Sequence, residues 1–305
     1  MSLLSDTQGS PERVWSLLGL LAAHEGELGR EQVLEWLVPS IRRGGGTTAT
    51  AATPNRSAAQ QTIGAAISLG LVESVSDTLR LPSTGIPATF EAFADLVHSV
   101  LLQTTLEDPN YLILEVFCWY VARCEVSGGT DWSFDWTRDA IADTVVKDLQ
   151  TANRGKDRIF NSTKVPFWRN WATFIGLGIE FPGSLTSFYP YLYSRMEREL
   201  GPLAGTFGYN REIEASAFLD ALALRMPYID RGTMFRSVST AMKLPIKDWE
   251  ISLVLSTAIR ELHDEGALTV KAPGDATAVV QLAPDVIHKL KYIKTIKVNR
   301  ISPRS

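Results

Sequence analysis

The sequence has few of the residues that form a local catalytic or metal centre. It contains two cysteines and four histidines, and no pair of them stands at the spacing of zinc ligands. No glycine-rich loop continues into Gly-Lys-Ser/Thr, which excludes a P-loop, and no nucleophile elbow is present. We therefore predict no cofactor and no bound metal, although a catalytic triad assembled from distant residues stays open.

The two cysteines are Cys118 and Cys124, which lie six positions apart in one predicted helix. That spacing places them on different helix faces, too far apart for an easy disulfide. We interpret both as buried reduced thiols, and the alternative is a redox or metal role.

Long apolar runs and a basic excess are also missing. The run from Leu17 to Ala23 is far shorter than the roughly 20 residues that span a bilayer, and Asp6 and Glu12 stand where a targeting segment would be basic. We expect a cytoplasmic, soluble protein without membrane contact. The net charge of -4 and the pI near 5.7 argue against a uniformly basic coat for nucleic acid, but leave a local basic patch possible.

The chain does contain a helix followed by a hairpin, seen most clearly between Arg158 and Pro182. Ser162 can cap this helix, Pro166 suits its first turn, and Gly178 is predicted to end it. Helical spacing relates the apolar residues Phe167, Trp171, Phe174 and Ile175. The turn at Pro182-Gly183 is bracketed by Ile179, Phe181, Phe188 and Tyr189.

The same order of helix and hairpin can be laid over two other stretches of the chain. One ends at Leu69–Val72 and the other at Glu265–Leu268. This pattern is typical of the third helix and wing of a winged-helix domain. A length of 305 residues allows two or three domains. We therefore predict a mainly α fold with small β-hairpins, built as three tandem winged-helix-like units. These are residues 1–105 with a connecting helix, residues 106–205, and residues 206–305 with a basic C-terminal tail.

Individual elements can be predicted in the first and third units. In the first unit, Pro11 opens a helix and a two-stranded wing turns at Ser76-Asp77. In the third unit, Asp248 could cap the last helix of the repeat, which continues to Gly266. Its wing would pair residues 268–271 with residues 279–282, and a final helix is expected from about Pro284 to Tyr292.

The second unit begins with residues 111–126, which are apolar on nearly every side and predict a helix buried between neighbours. A further helix is expected over residues 136–149. The segment 189–203 predicts another helix, which would end near Gly201-Pro202.

Basic and polar residues near the third helix of the first two units are candidates for contact with double-stranded DNA. Such a helix can enter the major groove while basic side chains contact phosphates, and Gln can pair with adenine. The candidates are Arg42, Arg43, Arg56, Ser57, Gln60 and Gln61 in the first unit, and Arg154, Lys156, Arg158, Lys164 and Arg169 in the second. The alternative is that they are solvated residues of an exposed helix.

Two tryptophans accompany the second basic group. Trp168 and Trp171 could stack on exposed bases. The spacing of Trp171 with Phe167 and Ile175 instead predicts a core position.

The third unit differs in charge. Its last repeat helix is rich in carboxylates, which would repel phosphate, so we predict contact with a partner protein. The acidic residues are Asp248, Glu250, Glu261, Asp264 and Glu265, against Lys247 and Arg260. The basic tail, from His288 to Arg304, could hold nucleic acid or an acidic partner, or be a solvated terminus.

An acidic ladder is the one constellation that could serve catalysis. Asp131, Asp135, Asp139 and Asp143 recur every four residues and could in principle hold a divalent cation. Asp131 and Asp135 stand at the helix start, where anions favour the helix dipole, and the others oppose the apolar face. We therefore favour an exposed polar face.

The opening helix Pro11 to Leu21, the segment Trp168 to Gly178 (WRNWATFIGLG) and the elbow at Gly266 together resemble the DpdG family. The resemblance implies a non-catalytic component of bacterial systems that place 7-deazaguanine derivatives in DNA and restrict unmodified DNA. It implies other defence-system subunits as partners, including an ATPase or nuclease made elsewhere. It identifies no active-site residues.

Three hypotheses follow. The first is a non-enzymatic adaptor of tandem winged helices that contacts DNA through the first two units and a partner protein through the third. The second is a protein-interaction scaffold without DNA contact, which the acidic net charge favours. The third is a metal-dependent enzyme whose site includes the acidic ladder.

Overall fold

The computed structural model describes residues 2–5, 8–38, 56–83, 85–150, 159–181, 188–272 and 279–300. It is 53% helix and 12% strand, with small antiparallel sheets, which confirms the prediction of a mainly α fold. Across these residues, no helix is both long and apolar enough to cross a bilayer. Contacts divide the chain into two compact units, one extending to Tyr111 and one beginning at Leu112. The unit boundaries predicted between residues 105 and 106 and between residues 205 and 206 stay predictions.

The first unit combines helices with one three-stranded sheet. In chain order its elements are α1 (Pro11–Ala23), β1 (Glu27–Gly29), α2 (Arg30–Leu37), α3 (Ser57–Ser68), β2 (Glu73–Val75), β3 (Thr78–Arg80) and α4 (Phe90–Leu102). Pro11 opens α1, as predicted. The hairpin that turns at Ser76-Asp77 is confirmed, and β1 joins it, so that β3 lies at the centre of the order β1-β3-β2.

The second unit is built around a central helix, α5 (Leu112–Ser127). It packs against α7 (Arg138–Leu149), α8 (Val165–Phe174), α11 (Thr233–Ala241) and α12 (Leu253–Asp264). The prediction of a helix buried on nearly every side is confirmed. The helix expected over residues 136–149 is confirmed as α7, which begins at Arg138, and a short helix, α6 (Trp132–Asp135), precedes it. The Thr137 hydroxyl caps α7 by accepting a hydrogen bond from Ala140 N at 3.2 Å.

The ends of α8 differ from the prediction. The helix begins at Val165 with Lys164 as its N-cap, so Ser162 is not the cap, although Pro166 does lie in the first turn. The helix ends at Phe174, and the left-handed Gly176, with a φ of 86°, follows its C-cap Ile175, so the predicted end at Gly178 was wrong. Gly178 lies in β4 (Gly178–Glu180), which pairs with β5 (Phe188–Pro190) as the predicted hairpin. The turn at Pro182-Gly183 lies outside the described residues.

The remaining elements of the second unit follow in order as α9 (Tyr193–Phe207), β6 (Ile213–Glu214), α10 (Ala215–Arg225), α11, α12, β7 (Leu268–Lys271), β8 (Val280–Gln281), β9 (Tyr292–Ile293) and β10 (Thr295–Val298). Helix α9 continues through Pro202, so the end predicted at Gly201-Pro202 was wrong. The cap predicted at Asp248 was also wrong. The Ser252 hydroxyl caps α12 by accepting from Leu255 N at 3.3 Å.

The predicted wing of the third repeat was wrong in its partner strand. β7 pairs with β10, in a sheet of order β6-β10-β7, whereas β8 pairs with β9. No helix forms between Pro284 and Tyr292. The basic tail contributes β10, the central strand of this sheet. Ile296 and Val298 are buried at alternate positions of β10, and the residues between them are more exposed, as expected for a strand with one face on the core.

Candidate functional site

The polar residues of α3 in the first unit have separate roles. Gln60 is exposed, whereas Gln61 Oε1 accepts a hydrogen bond from Gln8 N at 2.8 Å. Arg56, just before α3, forms an ion pair with Glu31, and both side chains are well exposed. Exposed ion pairs contribute little stability, so Arg56 can exchange Glu31 for another anion at small cost. Arg42 and Arg43 lie outside the described residues.

The second predicted basic group is divided. Arg154, Lys156 and Arg158 lie outside the described residues. Lys164 and Arg169 are buried: Lys164 Nζ donates to Ile159 O at 2.7 Å, and Arg169 Nη2 lies 3.3 Å from a Glu180 carboxylate oxygen. Burial lowers the pKa of Arg169. These two side chains bond within the fold, and their burial does not favour contact with phosphate.

The tryptophans of α8 belong to the core. Trp168 and Trp171 are both buried, and Trp168 Nε1 donates to Ile113 O at 3.0 Å. The Trp168 ring lies 5.5 Å from the Tyr120 ring and 4.7 Å from the Phe188 ring, centroid to centroid. The core interpretation of Trp171 therefore holds and extends to Trp168, so neither ring is free to stack on a base.

The acidic ladder is exposed. Asp131 and Asp135 lie at α6, and Asp139 and Asp143 lie on the solvent side of α7. Within the described ranges, no group of three or more His, Cys, Asp or Glu side chains is arranged to hold a metal ion. The positions of these four aspartates fit the interpretation that they form an exposed polar face.

The interpretation of the cysteines is confirmed. Cys118 and Cys124 are free thiols and both are buried. Burial raises the pKa of Cys118 well above its ordinary value and the pKa of Cys124 to about 12. Neither is a thiolate near neutral pH, so both are poor nucleophiles.

A cluster of carboxylates surrounds the start of α12, and sequence reasoning missed it. The Asp230 carboxylate accepts from Ser252 N at 2.7 Å and from the Ser252 hydroxyl at 2.6 Å. Glu125, from the end of α5, accepts from Leu253 N at 2.6 Å. Both carboxylates satisfy N–H groups of the first turn and complement the positive end of the helix dipole. Burial raises the pKa of Asp230, and raises that of Glu125 to about 6.

The loop that carries Asp230 is held in a tight conformation. Arg231 has a left-handed φ of 65°, and its guanidinium donates to Asp220 Oδ1 at 2.9 Å and to Asp248 O at 2.6 Å. A Cβ atom added at Gly232 would lie 2.2 Å from Pro227 O. Glycine is therefore required where the chain enters α11.

These elements enclose a cleft of about 330 Å³. Its apolar lining includes Phe235, Leu244, Pro245, Ile246, Ile251 and Leu282, and its acidic lining consists of Glu125, Asp230 and Glu250. Among the described residues that line the cleft, the one basic residue is Lys247, which pairs with Glu250 at 3.0 Å and lies over the exposed Trp249 ring. The cleft thus joins an apolar wall to a partly neutralised acidic rim. Of its carboxylates, only Glu250 belonged to the predicted acidic set, because Glu125 and Asp230 come from distant parts of the chain.

A family model described as DpdG-like matches residues 1–276. No curated protein and no solved structure matches the chain.

Proposed function

Because the chain belongs to the DpdG-like family, we propose that it is a non-enzymatic DNA-binding adaptor in a bacterial DNA-restriction or antiphage defence system. The family suggests involvement in a Dpd-type DNA modification system and partnership with other subunits of that system. The adaptor role and the DNA contact are our inferences. They rest on the arrangement of the first unit.

The observation that carries the proposal is the order of elements in that unit. A helix, a short strand, two more helices and a hairpin follow one another, and the short strand pairs with the last strand of the hairpin. This is the order expected of a winged helix, whose third helix enters the major groove. In this interpretation, α3 is the recognition helix and β2 with β3 is the wing.

The end of the chain has a related arrangement, which supports tandem repetition. There too, a short strand follows a helix and pairs with the last strand, giving the order β6-β10-β7. The predicted third unit, residues 206–305, contains all three of these strands. In this proposal the hairpin after α8 is the wing of the middle unit.

DNA contact is proposed for Arg56 and Gln60, whose side chains are exposed to solvent. It is also proposed, from the sequence alone, for five residues outside the described ranges: Arg42, Arg43, Arg154, Lys156 and Arg158. Lys164 and Arg169 are left out because they are buried. The carboxylate-rich start of α12 supports a protein partner, rather than DNA, for the end of the chain.

Fluorescence anisotropy with labelled double-stranded DNA tests the proposal. The full chain is titrated at two salt concentrations beside two charge-reversal triples, R42E/R43E/R56E and R154E/K156E/R158E. K147E/R211E/K243E is the matched control, since it makes the same charge change at three exposed positions elsewhere. Each lost phosphate contact should lower the slope of log K against log salt by about 0.9.

We expect salt-sensitive binding that either test triple weakens and the control largely retains. An equal loss of DNA binding in the two test triples and the control triple would indicate that DNA is attracted to the overall charge rather than to a defined surface. If the chain does not bind even at low salt, the adaptor would contact DNA only through another subunit, and the scaffold hypothesis would take its place.

A further inference from the structure

An apolar loop tip stands beside the cleft at α12. The loop connects β8 to β9, and we call its residues 284–288 the finger. Val286 and Ile287 form its tip and are 104% and 85% exposed. Pro284, at the base of the finger, also lines the cleft. A protruding apolar pair and a concave apolar surface are therefore neighbours on one face of the second unit.

The finger is held rigidly. Arg260 Nη2 donates to Ala283 O at 2.6 Å and to Leu290 O at 3.0 Å, which clamps both sides of the loop to α12. Inside the loop, the Asp285 carboxylate accepts from the two backbone N–H groups that follow Val286, at 2.6 and 2.9 Å. A preorganised loop loses little conformational entropy when its tip is buried in a partner. Hydrogen bonds thus order the loop that carries the exposed tip.

The finger contains one carboxylate, Asp285, which bonds to N–H groups of its own loop. The exposed residues that follow the finger and the carboxylates of the cleft have opposite charge. Exposed Lys289 and Lys291 follow the finger, whereas the cleft contains Glu125, Asp230 and Glu250. Lys247 offsets only part of this negative charge. The finger and the cleft therefore complement each other in apolar character and in charge.

Within one chain the tip residues Val286 and Ile287 are exposed and do not fill the cleft. The tip of a second copy can fill it, because a two-fold axis between finger and cleft brings each finger to the other copy's cleft. We propose that this surface binds a second copy of the chain, each copy inserting Val286 and Ile287 against the apolar wall formed by Phe235, Leu244 and Ile246. The lysines that follow each finger then face the carboxylates of the opposite cleft. This inference does not depend on DNA binding.

Sedimentation equilibrium of the full chain over a range of concentrations tests the pairing. The finger variant V286D/I287D and the cleft variant I246D should each raise the dimer dissociation constant at least about tenfold, since they place carboxylates in an apolar, acidic contact. All three positions are exposed in the single chain, so the fold should be retained, and circular dichroism checks it. L224D is the matched control, because Leu224 is 85% exposed and lies outside the finger and the cleft.

Mixing the two variants is the decisive experiment. A mixed pair contains one intact finger facing one intact cleft, whereas each variant paired with itself contains none. Dimers should therefore reappear on mixing at concentrations where each variant alone is monomeric. The inference is overturned by a wild-type chain that stays monomeric, by a dimer that neither variant weakens, or by a mixture that does not recover.

Discussion

Asp230 and Ser252 are joined twice: one carboxylate accepts both the backbone N–H and the hydroxyl of the residue that caps α12. The carboxylate is buried, and so is Ser252. This pair connects the loop between α10 and α11 to the first turn of α12. It thereby sets one wall of the cleft.

Removing either partner should destabilise the protein. We expect D230A to lower the free energy of unfolding by about 1–3 kcal/mol, because it leaves a buried N–H without an acceptor, and S252A to lower it by about 1 kcal/mol through loss of the cap. The double variant should cost less than the sum, since both changes delete the hydrogen bond from the Ser252 hydroxyl to the Asp230 carboxylate. D230N should cost less than D230A, because its amide oxygen can still accept from Ser252 N. Urea unfolding of the four variants measures these values, and strict additivity would contradict the coupling.

Glu125 should make stability depend on pH. Its pKa is raised by burial from 4.5 to about 6, so between these values the folded protein binds the proton more tightly than the unfolded chain. The free energy of unfolding therefore falls as pH rises through this window, by at most about 2 kcal/mol. E125Q stays neutral and can still accept from Leu253 N, so it should lack this part of the pH dependence. Urea unfolding of both proteins at pH 4.5 and pH 7 checks the sign, and a difference that does not change with pH would contradict it.

Gly232 should not tolerate a side chain. In G232A the new methyl group would lie 2.2 Å from Pro227 O, a backbone atom that already accepts from the N–H groups of Met234 and Phe235. We expect a loss of about 1–3 kcal/mol in unfolding free energy. G129A is the matched control, because no atom of the part of the chain that the structure describes lies within 4 Å of its added Cβ. Thermal unfolding compares the two, and equal melting temperatures would show that the loop can shift to make room.

The acidic ladder should be dispensable. The exposed changes D139N and D143N, made together, should alter the unfolding free energy by no more than about 0.5 kcal/mol. Addition of Mn²⁺ should raise the melting temperature of neither protein. An increase in the wild-type chain that D139N/D143N abolishes would instead favour the metal-dependent enzyme hypothesis.

Local pattern predicted much of the fold because helices and hairpins are set by nearby residues. The all-round apolar segment became the central helix α5, and the turn at Ser76-Asp77 formed as expected. Helix ends were predicted less well. Ser252 rather than Asp248 caps α12, since the buried Asp230 holds Ser252 in place, and nothing near residue 252 in the sequence indicates that contact.

The candidate site was less predictable because its parts are distant in the chain. Glu125 and Asp230 meet only when α5 and the loop after α10 pack at the start of α12. Lys164 and Arg169 appear as exposed basic residues in the sequence, yet both are buried. Charge can be counted from composition, but the direction in which a side chain points depends on its neighbours in three dimensions.

The sequence by itself determined the mainly helical class, the hairpins β2–β3 and β4–β5, and the resemblance that the family match bears out. Only the tertiary structure decided which strand completes the sheet beside β7. Residues 279–282 and 295–298 both carry apolar residues that suit a strand, so the local signal for each is similar. The last segment occupies the position because it pairs on both sides, with β6 and β7, and buries Ile296 and Val298 there. Strand pairing is a long-range competition, and burial of apolar surface determines its outcome.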